Sequence, residues 1–112
     1  MRIFIALVVI CALASCGGRS SRAPAVQFSS GPISAACQAA GRPNASRELC
    51  RCIQGVADAE LSGSDQRRAA PFFGDPERAQ AVRLDDSRAA DAFWERWTTY
   101  ARRAEELCGS LT

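Results

Sequence analysis

The chain has 112 residues, six of them Cys, a formal net charge of +2, and neither His nor Lys. That length suits one small domain, and a charge so near neutral excludes a surface built for nucleic acid. Without His or Lys, the Ser-His-Asp, Cys-His and Lys-nucleophile arrangements are excluded, so no enzyme is expected.

The first residues, MRIFIALVVICALASC, place Arg2 before an apolar run from Ile3 to Ala14 and then small residues. This is the layout of an export signal over residues 1–15. The run is shorter than the ~20 apolar residues a permanent span requires, and no later segment is apolar enough to span. Leu13-Ala14-Ser15-Cys16 resembles the lipobox of bacterial lipoproteins, which implies that Cys16 becomes the N-terminus and carries lipid, palmitate included. Ordinary cleavage after Ala14 is the other reading, but it leaves five cysteines. Lipidation of Cys16 leaves four, an even number for pairing after export. Gly17 stands where an Asp would follow the lipidated residue. By similarity to enterobacterial lipoproteins, that implies an anchor in the outer membrane, facing the periplasm. The membrane is therefore the expected partner, through the lipid.

Residues 16–33, continuing as GGRSSRAPAVQFSSGPI, lack periodicity and read as a lipidated flexible tether. Residues 34–112 read as an all-α domain, because strand signals are nearly absent. Ser34 is expected to cap a short helix that Gly41 stops. Ser46 caps a second helix, running to about Leu61. Ser62-Gly63-Ser64 breaks the chain, and Ser64 caps a piece from Asp65 towards Phe73, loosened by Pro71 and stopped by Gly74. Asp75-Pro76-Glu77 opens a fourth helix, reaching about Leu84. Asp85, Asp86 and Ser87 offer caps for the last and longest, which ends at Cys108 before Gly109. At about 100° per residue, its apolar face takes Phe93, Trp94, Trp97, Tyr100, Ala101, Ala104, Leu107 and Cys108.

On the second helix the apolar stripe is Leu49, Ile53, Val56, Ala57 and Leu61. Cys50 and Cys52 lie at opposite edges of it, about 200° apart. They diverge too far to bond each other or to grip one ion. The turn GRPNA makes the first two helices antiparallel, which sets Cys37 opposite residue 49 or 50. The favoured pairing is therefore Cys37–Cys50 with Cys52–Cys108. The exchanged pairing, Cys37–Cys52 with Cys50–Cys108, stays open, since four cysteines allow three connectivities. So small a core rarely supplies more than ~3–5 kcal/mol, which makes a disulfide-stapled bundle physically sensible. A Cys-x-Cys pair can also hold copper or zinc. With no His, and with Met only at the start, no metal and no cofactor are expected.

Cys37, the LCRCIQ pair, the run LSGSDQRRAAPFFGDPERAQ, AFWERW and Cys108 together cover most of the domain. In these the chain resembles a family of small exported proteins from alphaproteobacteria, whose members are sometimes catalogued as "arginine transporter". The resemblance implies an exported helical domain and, as an alternative role, an accessory in amino-acid uptake whose acidic residues would recognise arginine. The leading expectation is a non-catalytic domain acting through an unidentified protein partner or other envelope contacts. Arg67, Arg68, Phe72 and Phe73 form its candidate interaction patch, since paired guanidinium groups beside two adjacent aromatics suit a partner surface. The competing reading buries one Phe in the core and packs the other under the Gly74 turn.

Overall fold

The computed structural model describes residues 26–112. The expected export signal, Cys16 and the first part of the expected tether lie outside the described residues. Those described are all-α, without strands. Five helices follow in order: α1 Pro32–Ala39, α2 Arg47–Glu60, α3 Gly63–Ala69, α4 Pro76–Arg83 and α5 Arg88–Cys108. A 3₁₀ turn over Ala70–Phe73 follows α3 directly, where Pro71 removes a backbone donor, and another over Gly109–Leu111 closes the chain.

Most helix ends follow from local chemistry. The Ser46 hydroxyl accepts from the Leu49 N–H at 3.0 Å to start α2, and the Ser87 hydroxyl from the Ala90 N–H at 3.2 Å to start α5. Gly41 ends α1 with φ +62°, the left-handed conformation that favours glycine. Two ends differ from expectation. α1 begins before Ser34, which occupies its third position; the Ser34 hydroxyl accepts from the Gly31 N–H at 2.9 Å. Ser62, not Ser64, caps α3, accepting from the Asp65 N–H at 3.1 Å. α5 ends at Cys108 before Gly109, as expected, and Gly109 keeps right-handed helical angles and opens the final 3₁₀ turn.

α2 is the centre of the bundle, with α1 packed on one side and α5 along another. The core unites Ile33, Cys52, Val56, Ala57, Leu61, Ala69, Phe72, Phe93, Tyr100, Ala104 and Cys108. On α5 the buried seam is Ala90, Phe93, Tyr100, Ala104 and Cys108, with Trp97 and Leu107 half-buried beside it. Trp94 stands outside this cluster and Ala101 is exposed, which narrows the expected stripe. The Tyr100 hydroxyl donates to the Ile53 carbonyl at 3.0 Å and ties α5 to α2. Burial, and secondarily the Asp58 charge, raise its pKa far above the ordinary tyrosine value, so it stays protonated as a donor.

The two bridges join Cys37 to Cys50 and Cys52 to Cys108, the pairing favoured from the hairpin register, with Cα–Cα distances of 5.5 and 5.9 Å. All four bridged cysteines are buried. One bridge holds α1 to the first turn of α2, and the other pins the last residue of α5 to the middle of α2.

The packed unit also starts earlier than residue 34. Residues 26–31 form an extended strap along α2: the Ser29 N–H donates to the Arg51 carbonyl at 3.2 Å, and the Ser29 hydroxyl donates to Asp58 Oδ2 at 2.6 Å. Val26 packs on the core margin. Gly55 makes this approach possible, because a Cβ there would overlap the Gln27 backbone carbonyl. Gly55→Ala is therefore expected to evict the strap while leaving the helices formed. The gain in helix propensity, about 1 kcal/mol, offsets much of the loss. Limited proteolysis checks this: cleavage within residues 26–31 should accelerate sharply, and unchanged protection there would refute the close approach.

Candidate functional site

The structure scatters the four residues of the expected patch over different environments. Phe72 is in the core at 7% exposure, edge-on to Phe93 and to Trp97 with ring centroids 6.0 and 5.2 Å apart. Phe73 is half-buried, edge-on to Trp97 at 6.2 Å. The Arg68 guanidinium sits 4.4 Å from the Phe93 ring centroid, covering it as a cation–π lid. Arg67 is exposed and stands over Gly63. Of the four, Phe72 and Phe73 border a surface depression, and Arg67 and Arg68 do not.

That depression is an open groove of about 250 Å³, lined by Cys37, Arg42, Ala45, Leu49, Ile53, Phe72, Phe73 and Trp97. Its floor is the flank of α2, where Leu49 and Ile53 are one turn apart. The 3₁₀ turn supplies Phe72 and Phe73, and α5 supplies Trp97. The Cys37–Cys50 bridge fixes one end, and the α1–α2 loop brings Arg42 to the mouth, where its guanidinium donates to the Phe73 carbonyl at 3.4 Å. Sequence reasoning missed Arg42 and Leu49 as a site, because residues far apart in the chain meet there only after folding.

A second constellation was hidden for a different reason. Gln54, on the buried side of α2, is 1% exposed. Its Oε1 accepts from the N–H groups of Ile33 and Ser34 at 2.8 and 2.9 Å, so α2 caps α1. Its Nε2 donates to Asp58 Oδ1 at 2.9 Å and to Gln66 Oε1 at 2.7 Å. Gln66 Nε2 donates to the same Asp58 oxygen at 3.2 Å and to the Leu61 carbonyl at 3.3 Å. No buried side-chain nitrogen or oxygen among the described residues lacks a partner. This is a closed structural network, not a reactive one.

Burial raises the Asp58 pKa, but hydrogen bonds from Ser29, Gln54 and Gln66 outweigh it, and the carboxyl is held below its ordinary value. A group depressed in the folded state adds stability above its unfolded pKa, and that stability disappears as pH falls through the folded value. Urea midpoints should therefore be level from neutral pH down to about 5 and decline below about 4. Asp58→Asn should flatten part of the decline. Asp85, lowered by the Ser87 backbone and side chain, supplies the same kind of dependence and persists in the variant. An identical acid profile for Asp58→Asn would contradict the network's role.

Some of the acids are engaged with arginines of the chain itself. Asp65 takes Arg96 through two contacts of 2.6 and 3.1 Å, and Glu60 pairs with Arg103 at 3.5 Å. Glu60 and Glu95 share a shallow hollow of about 210 Å³ with Arg96 and Thr99. Among the described residues no group of three or more potential metal ligands gathers, and no helix is long and apolar enough to cross a membrane. No family model matches this chain, and neither a curated protein nor a solved structure is found to resemble it.

Proposed function

We propose that the chain is a lipid-anchored, non-catalytic binding module of the cell envelope, held by Cys16 and working through the groove beside the Cys37–Cys50 bridge. The observation that supports this most is the groove itself. It presents aromatic and aliphatic side chains to solvent around one cation, the composition from which binding pockets are built. The chemistry elsewhere is quiet: all four described cysteines are spent in bridges, and the buried polar side chains satisfy one another.

Two measurements in the native host test the reading. Labelling with a palmitate analogue should mark the wild-type chain and fail for Cys16→Ser. A photo-crosslinking residue at Phe73 should give an adduct that the same residue at Leu84, exposed at the end of α4, does not. Absence of label refutes the anchor, and equal adducts at the two positions refute the groove.

A further inference from the structure

We infer that the groove binds a single-chain aliphatic carboxylate, with the alkyl chain along Leu49, Ile53, Phe73 and Trp97 and the carboxylate on Arg42. The inference rests on the binding-module reading and names its ligand. Charge is the first argument. Arg42 is the only charged residue lining the groove and has no ion pair among the described residues. Its one hydrogen bond, to the Phe73 carbonyl, holds the guanidinium at the mouth and leaves further donors for a bidentate carboxylate.

The second argument is what the lining lacks. Apart from Arg42 and the indole N–H of Trp97, the lining side chains carry no nitrogen or oxygen. A peptide laid along these side chains would give up water at its N–H and C=O groups with little in return. An alkyl chain has no such groups to satisfy. Size is the third. About 250 Å³ is just under the ~300–1,000 Å³ common for ligand pockets, which suits a slender chain over a bulky ring system. A positively charged ligand is disfavoured by Arg42 itself.

The test uses the mature, oxidised chain and sodium decanoate below its micelle concentration, followed by the indole resonances of Trp94 and Trp97. Decanoate should bind saturably and shift Trp97, which lines the groove, and leave Trp94, which does not. Arg42→Ala lies in the exposed α1–α2 loop and should leave the fold intact. It should weaken decanoate about tenfold, as loss of a charge-assisted hydrogen bond does, and leave binding of decanol unchanged. Decanol or decyltrimethylammonium binding the wild type as tightly as decanoate would overturn the carboxylate assignment. So would an unmoved Trp97, or an apolar peptide with an amidated C-terminus that shifts Trp97 where decanoate does not. If decanoate fails while the Phe73 crosslinker still captures an envelope protein, the ligand class falls and the binding module stands. If both fail, both readings fall.

Discussion

A chain carrying Cys52→Ala and Cys108→Ala is expected to lose about 4 kcal/mol of stability in the chain-entropy account. The bridge closes a segment with a sequence separation of 56 residues, so its removal releases most of the domain's unfolded-state freedom. Cys37→Ala with Cys50→Ala should cost less, about 3 kcal/mol, since that bridge spans only 13 residues. Urea unfolding of the two double variants checks both values and their order. Both pairs are buried, so alanine at either leaves a comparable small void and the difference isolates loop length. The two variants unfolding together, or in the reverse order, would overturn the view that the bridges act by constraining the unfolded chain. In a domain this small a loss of about 4 kcal/mol rivals the ~3–5 kcal/mol that such a core supplies, so the Cys52–Cys108 variant should unfold at a much lower urea concentration than the wild type.

The second large effect is expected at a residue with no hydrophobic or covalent role. Gln54→Leu should cost about 3 kcal/mol, since it strands several buried partners at once and each orphaned group carries a penalty of roughly 1–3 kcal/mol. The N–H groups of Ile33 and Ser34 lose their acceptor, while Asp58 and Gln66 lose a donor. Amide exchange in α1 should accelerate more than in α5. Gln54→Glu separates the two halves of the role. It keeps an acceptor at the α1 N-terminus, where negative charge is favourable, but sets a second carboxylate against Asp58. Its loss should therefore be smaller than that of Gln54→Leu and should shrink on mild acidification. A Gln54→Leu chain as stable as the wild type would mean that water or rearranged neighbours satisfy these groups.

What was legible in the sequence divides along physical lines. Because capping is a contact within three residues, the helix start at Ser46 was readable, and that at Ser87 was one of three offered with Asp85 and Asp86. The bridge pairing was readable because one short turn fixes the register of α1 against α2. At Ser62 and Ser64 local chemistry offers two equivalent caps around Gly63, and only the packing of Ala69 and Phe72 chooses between them. Gln54 sits one turn after Cys50 and three residues before Ala57, a spacing that suits an inward position, yet the expected stripe left it out. Its polarity concealed it, since the partners that make burial affordable come from α1 and α3. The strap was missed because its order comes from the absence of a side chain at Gly55, which no periodic pattern reports. The groove needed three separate segments, and the expected Arg67–Phe73 patch divided because both aromatics pack against Trp97 while Arg68 covers Phe93 and Arg67 stays exposed.

The connectivity of the bridges has a consequence for biogenesis. Taken in chain order, the four bridged cysteines join first to second and third to fourth. For a chain delivered N-terminus first, an oxidase that couples each newly arrived thiol to the nearest waiting one makes the native set directly, without a reshuffling isomerase. The second coupling would wait for Cys108, 56 residues after Cys52, so the bridge that ties α5 to α2 closes last.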